Sequence, residues 1–230
     1  MKKLKNLSLT QISTGDDGTA WGLDANGSLF TIFGDNFRQV QLQNGERFDY
    51  ISAIRGVSAL GLSRGRIFFT NDGGLTWEEK PVNLYDLLTK ISVGESNSAW
   101  AINNVGHLFR IPDFNTGDWE IIGYASPCFE VSAVNYSDAW VIGTDDVILA
   151  FEGNKPLQTS GALKKISAYS PADVIGVNAT GAIFSSTDRG RSWEQISGNL
   201  RDISISKYGG NAYGINASHE VFLLDSPFLV

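Results

Sequence analysis

The side chains able to do acid–base, nucleophilic or metal chemistry are few in this sequence. His107 and His219 are its only histidines and Cys128 its only cysteine. A histidine-rich metal site needs more ligands than these, and a nucleophile needs an adjacent base. Arg110, in Phe109-Arg110-Ile111-Pro112, is of a type that binds substrate carboxylates. Such a site would need two further arginines and a Tyr/Glu nucleophile pair. Arg38, Arg47, Arg55, Arg64, Arg66, Arg189, Arg191 and Arg201 do not assemble into that set. Glycoside hydrolysis would also require an acidic pair, and the sequence does not locate one. The expectation is a protein that is not an enzyme, with no cofactor and no metal.

The elements that must position any site are short strands in a repeat. First strands centre on Ile12, Ile51, Ile91, Val131, Ile166 and Ile203, at intervals of about 35 to 40 residues. Serine follows every time, as Ser13, Ser52, Ser92, Ser132, Ser167 and Ser204. Second strands follow as Ala20-Trp21-Gly22-Leu23, Ala59-Leu60-Gly61-Leu62, Ala99-Trp100-Ala101-Ile102, Ala139-Trp140-Val141-Ile142, Val174-Ile175-Gly176-Val177 and Ala212-Tyr213-Gly214-Ile215. Third strands pass through Phe30, Phe68, Phe109, Leu149, Phe184 and Phe222. No helical period competes, so each repeat reads as an antiparallel meander.

Side chains alternate between the faces of a strand, and the second strand is bulky on one face and flat on the other. Trp21 and Leu23 share one face, Ala20 and Gly22 the other. Such sheets stack on copies of themselves around an axis, each large face filling its neighbour's flat one. The predicted fold is all-β, a six-bladed β-propeller of four-stranded antiparallel blades in one domain. Its repeats are expected over residues 7–40, 48–80, 88–122, 129–158, 163–196 and 200–230. A chain of 230 residues with 42% hydrophobic content and Gly 25 suits that architecture. The outer strand of the fourth repeat is the least legible, because no tryptophan follows Gly153-Asn154-Lys155-Pro156. Ring closure stays open between Phe228-Leu229-Val230 and residues 2–5.

Charge and leader signals limit the partners. With 25 acidic against 18 basic residues and no basic run, long-range electrostatics repel nucleic acid and anionic membranes. No apolar run reaches the ~20 residues of a membrane span. The N-terminal Met1-Lys2-Lys3-Leu4-Lys5 lacks a following apolar segment, so no classical signal peptide is read. A lone cysteine excludes an intrachain disulfide framework, and the expectation is a cytoplasmic protein, or one released without a classical signal.

Two turns share one pattern, Thr70-Asn71-Asp72-Gly73-Gly74-Leu75-Thr76-Trp77 and Ser186-Thr187-Asp188-Arg189-Gly190-Arg191-Ser192-Trp193. Both resemble the Asp-box of sialidases and other propellers, a turn whose Asp caps backbone N–H groups and whose Trp covers it. Phe109-Arg110-Ile111-Pro112 is similar to the sialidase arginine motif. Arg110 also falls where a better match has arginine. At Lys90-Ile91-Ser92-Val93-Gly94, Ala99-Trp100-Ala101-Ile102-Asn103 and Gly106-His107-Leu108-Phe109-Arg110 the chain closely resembles the tectonin repeat. Trp21-Gly22-Leu23-Asp24, Ile175-Gly176-Val177-Asn178 and Tyr213-Gly214-Ile215-Asn216 resemble it too, while the second and fourth repeats depart through Ser63 and Gly143.

That resemblance implies a propeller and, for several family members, a lectin binding surface glycans, in some cases methylated sugars or lipopolysaccharide. Others serve as protein-interaction scaffolds. A sugar site needs polar groups beside an apolar surface. Asp24, Asn103, Asn178 and Asn216, each closing a second strand, are the candidate glycan-binding residues, repeated so that weak sites add by avidity. The alternative reading is that they are turn residues, which Asn and Asp also favour. The expected partners are glycans or glycoconjugates, or else a protein recognised by one unique face.

Overall fold

Each repeat folds into a four-stranded antiparallel sheet. The computed structural model describes residues 1–42, 47–84, 87–123, 126–207 and 211–224. The chain opens with β1 (Lys2–Ser8). Blade one is β2 (Gln11–Thr14), β3 (Ala20–Leu23), β4 (Leu29–Phe33) and β5 (Asn36–Val40). Blade two is β6 (Tyr50–Arg55), β7 (Ser58–Ser63), β8 (Arg66–Thr70) and β9 (Glu78–Lys80). Blade three is β10 (Leu88–Val93), β11 (Ala99–Asn103), β12 (Leu108–Ile111) and β13 (Glu120–Ile122). Blade four is β14 (Cys128–Ala133), β15 (Asp138–Gly143), β16 (Val147–Glu152) and β17 (Lys155–Ala162). Blade five is β18 (Lys165–Ala168), β19 (Val174–Val177), β20 (Ala182–Ser186) and β21 (Glu194–Asn199). Blade six has β22 (Asp202–Ile205), β23 (Ala212–Ile215) and β24 (Glu220–Leu224).

The fourth strand of blade six is β1, which pairs antiparallel with β24 through Lys2 opposite Leu223 and Lys3 opposite Phe222. The N-terminal segment therefore closes the ring, and the expected alternative, Phe228-Leu229-Val230, lies outside the described residues. Because β1 runs through Ser8, blade one's own strands begin at Gln11 rather than near Leu7. In blade four the outer strand is the long β17, exposed along nearly its whole length. With both faces wet it carries no hydrophobic alternation, which is why the sequence marks it poorly.

The large-on-flat stacking holds at all six interfaces. Trp21 and Leu23 pack with Ala53 and Ala59 of blade two, and Leu60 and Leu62 with Ala99 and Ala101 of blade three. Trp100 and Ile102 meet Ala139 and Val141 of blade four, and Trp140 and Ile142 meet Ala168 and Val174 of blade five. Ile175 and Val177 face Ala212 of blade six, and Tyr213 and Ile215 face Leu9, Ile12 and Ala20. Trp21, Trp100 and Tyr213 are fully buried. Their polar ends are used as well. Trp21 Nε1 donates to Arg55 O at 2.8 Å, Trp100 Nε1 to Asn135 O at 2.9 Å, and the Gly34 amide donates to Tyr213 Oη at 3.0 Å. The flat face needs its glycines. A side chain at Gly22, Gly61, Gly176 or Gly214 would collide with Leu9, Phe48, Leu163 or Leu200.

In such a meander the hairpins joining second to third strands share one face, called upper here, with the connections between blades. Turns joining first to second and third to fourth strands lie on the lower face. The six first strands neighbour one another around the axis and line a channel.

Candidate functional site

The four predicted polar residues all stand on upper-face hairpins, one each in blades one, three, five and six. Each folds its side chain back on its own turn. Asp24 Oδ1 accepts from the amides of Asn26 and Ser28, both at 2.8 Å. Asn103 Oδ1 accepts from Val105 and His107 at 3.2 and 2.7 Å. Asn178 Oδ1 accepts from Thr180 and Ala182 at 3.0 and 2.9 Å. Asn216 Oδ1 accepts from Ser218 and Glu220, both at 3.0 Å, while its Nδ2 donates to Glu220. These are turns closed by a side-chain acceptor. The four are equivalent by the repeat and are not brought together.

His107 and His219 occupy adjacent positions of the equivalent hairpins in blades three and six, opposite each other in the ring, His219 standing where blade three has Gly106. His107 Nδ1 lies 3.4 Å from Asn103 Nδ2, and His219 Nδ1 lies 3.1 Å from Leu9 O, beside Arg201. Arg110 is buried and committed to structure. Its guanidinium lies 4.3 Å from the ring centre of Tyr136 and 5.7 Å from that of Trp100, and it pairs with Glu120. Among the described residues no three His, Cys, Asp or Glu side chains group at metal-binding distance.

The Asp72 and Asp188 turns, on the lower face, are near copies. Asp72 Oδ1 accepts from the Thr76 amide at 3.0 Å and Oδ2 from its hydroxyl at 2.6 Å, while Thr70 Oγ1 takes the Gly74 amide. Asp188 does the same with Ser192, and Ser186 with the Gly190 amide. Gly74 and Gly190 sit at φ of 85° and 74°, the left-handed region that glycine enters freely. These hydrogen bonds hold both carboxyls down at about 2. Trp77 packs on Phe48 and Trp21, and Trp193 on Trp140.

Two features go beyond the predicted residues. The first is an apolar strip on the upper face of blades three and four. Leu87, Val105 and Phe129 are 58, 55 and 54% exposed. Backbone bonds tie their neighbours together, Asn104 N to Leu87 O and Cys128 N to Gly106 O, so the three run side by side. Beside Leu87 opens a groove of about 470 Å3 lined by the apolar Val82, Leu84 and Leu87 and by the charged Arg64, Arg66, Glu79 and Lys80, of which Arg66 and Glu79 pair with each other. The signal was in the sequence. Where Phe129 stands the other repeats have Thr10, Asp49, Thr89, Lys164 and Arg201.

The second is the channel. Two residues before each recurrent serine stand Gln11, Tyr50, Lys90, Glu130, Lys165 and Asp202, on the same strand face as the serine. Glu130 is 4% exposed and accepts from Lys165 Nζ at 2.7 Å, Lys90 Nζ at 3.2 Å and Tyr50 Oη at 3.2 Å. Burial alone would raise its pKa, but Lys165 and Lys90 outweigh that and lower it. Burial raises that of Asp202, whose Oδ2 accepts from the Ile12 amide at 3.2 Å, and lowers that of Lys90. Gln11 brackets Ile51 through both its amide atoms. Two half-buried cations and two buried carboxylates thus plug the upper end of the channel.

Below them, the serine hydroxyls stitch the blades. Ser13 Oγ accepts from the Ala53 amide, Ser52 from Val93, Ser92 from Ala133, Ser132 from Ala168, Ser167 from Ile205 and Ser204 from Thr14, at 2.8 to 3.0 Å. The sixth bond returns to blade one, so the ring is closed. At the lower end Lys207 Nζ crosses from blade six to donate to Val93 O and Val134 O at 3.3 and 3.1 Å.

A model of the Tectonin domain family matches residues 88–227. No curated protein matches the chain. Among solved structures, YCF48 bound to a D1 peptide is 15% identical with a TM-score of 0.58, over 100% of this chain and 96% of that one. The Neurospora crassa Pan2 WD40 domain is 11% identical with a TM-score of 0.60, over 97% and 90%. Streptogramin B lyase is 15% identical with a TM-score of 0.62, over 94% and 79%. At such identities the likeness is one of fold, and its bearers include both binding domains and an enzyme. Among the described residues no helix is long and apolar enough to cross a membrane.

Proposed function

The chain belongs to the Tectonin domain family, and on that premise we propose that it acts by binding, without catalysis, and takes a segment of another protein on the upper face of blades three and four. The observation that carries this is the strip of Leu87, Val105 and Phe129, continuous with the groove beside Leu87. A run of exposed apolar side chains of this kind marks an interaction surface more often than chance. It breaks the equivalence of the blades, which favours one unique ligand over six similar ones. Arg64 on the groove wall has no ion pair among the described residues, so the segment is one of apolar side chains with a carboxylate nearby. The overall acidity argues against nucleic acid and anionic membranes. The Asp72 and Asp188 turns we take as Asp-boxes with a structural role. We place its action in the cytoplasm or outside the cell. A photo-crosslinking residue at position 105, with position 157 on the outer edge of blade four as control, tests the interface in native extract. One partner segment captured at 105, absent at 157 and lost in Phe129→Asp, is expected. Equal capture at both positions, or none, sinks the proposal.

Family membership favours a second reading, carbohydrate recognition by repeated shallow sites. In it the hairpins of Asp24, Asn103, Asn178 and Asn216 present their remaining polar atoms at four equivalent rim positions. A glycan array with methylated and bacterial saccharides, followed by calorimetry on the best hit, separates the two. The lectin requires a stoichiometry above one.

A further inference from the structure

We propose that the lower channel chamber, between the serine ring and Lys207, is a binding site for a monatomic anion of chloride size. The chamber is about 50 Å3 and is lined by all six ring serines, by Thr14 and Asp16, and by Lys207. Each serine oxygen already accepts a backbone amide, and among the described residues none of the six hydroxyls donates to a protein oxygen. Six O–H donors therefore remain, from serines of which Ser52, Ser167 and Ser204 are only 5, 8 and 7% exposed. Thr14 Oγ1 is buried and has no hydrogen-bond partner. The Lys207 ammonium spends two of its three donors on Val93 O and Val134 O, and no carboxylate of the described residues lies within ion-pair distance.

The balance of donors decides the ligand. A cation needs lone pairs, and those of the serines are partly occupied by the amides. Water can accept from ring hydroxyls and donate to their remaining lone pairs, so it is the competing occupant that the test must distinguish. A halide accepts from every side and offers none. Its charge is met by Lys207, a half-buried cation on the chamber wall. Asp16 stands on the chamber wall, and with Glu95 it is one of two carboxylates that act on Lys207 and with which an anion there must compete. The site lies far inside the ring, so it would act on folding and rigidity rather than on the upper-face ligand.

The test is a crystal of the purified protein grown in sodium bromide and measured at the bromine edge. An anomalous peak on the channel axis between the serines and Lys207 is expected. Its absence, with only water in the chamber, overturns the site whatever other effects halides have. In solution, at constant ionic strength in gluconate, added chloride or bromide is expected to raise the melting temperature and to saturate. Lys207→Met should weaken the apparent halide affinity about tenfold or more, the weight of one charged hydrogen bond. If that variant does not fold, the wild-type crystal still decides.

Discussion

A serine that recurs at one position of every first strand is hard to explain until the next repeat is in place. Ser52 accepts from the Val93 amide and Ser167 from the Ile205 amide, so each hydroxyl satisfies a donor about 40 residues onward. Ser52→Ala strands the Val93 N–H and should cost about 1–3 kcal/mol in urea unfolding. Ser218→Ala, in an exposed hairpin, should stay within about 0.5 kcal/mol. Equal losses would mean that the ring bonds contribute nothing particular. The recurrence of serine was legible in the sequence, but its reason was not, because the acceptor and donor are neighbours only in the closed ring. The two aspartate turns make a second residue-scale prediction. Asp72 and Asp188 have folded pKa values of about 2 against an ordinary 3.8, so the stability they contribute is present above about 4 and is lost as pH falls toward 2. Asp72→Asn with Asp188→Asn should be less stable than the wild type at pH 7, and the gap should close between pH 4 and 2. A gap that does not change with pH refutes the carboxylate as its source.

At the scale of the strand, the second strand of each blade was the most legible element, since its large and small faces are written two residues apart. Trp100 with Ile102 against Ala139 with Val141 is that pattern realised. Trp100→Ala opens a cavity at the boundary of blades three and four and removes the bond to Asn135 O. It should cost about 3–5 kcal/mol, measured by chemical unfolding, whereas Ile121→Ala on the exposed outer strand should be nearly neutral. A small loss at Trp100 would show that the stacking is loosely packed. Outer strands were less legible for a physical reason. β17 and β21 expose almost every residue, and a strand without a buried face has no period to read. The candidate site fared likewise. Asp24, Asn103, Asn178 and Asn216 stand out by their spacing, yet the structure spends their acceptors on their own turns. Phe129 and the channel quartet of Lys90, Glu130, Lys165 and Asp202 depart from the repeat, and a reading that looks for sameness passes over them.

For the whole molecule, the decisive element is β1. It covers the edge of β24 and lets blade six be finished by the other end of the chain, so the ring is fastened by pairing between segments more than 200 residues apart in sequence. Leu4 and Leu7 of this strand are buried, and Leu9 just beyond it fills the space over Gly22. Lys2 pairs with Asp35 of blade one, while Lys3 pairs with Glu220 of blade six. The same strand thus ties both sides of the seam. Removing residues 1–8 should leave an unpaired edge on β24, which other chains can template. The truncated protein is expected to melt at lower temperature and to show oligomers by light scattering where the full chain is monodisperse. A synthetic peptide of residues 1–8 should restore both properties, and the same peptide with Leu4→Lys and Leu7→Lys should not. Restoration depends on β-pairing and on two buried leucines, so equal rescue by both peptides would show that closure needs only the lysines. Absence of any defect after truncation would show that the ring closes without this strand.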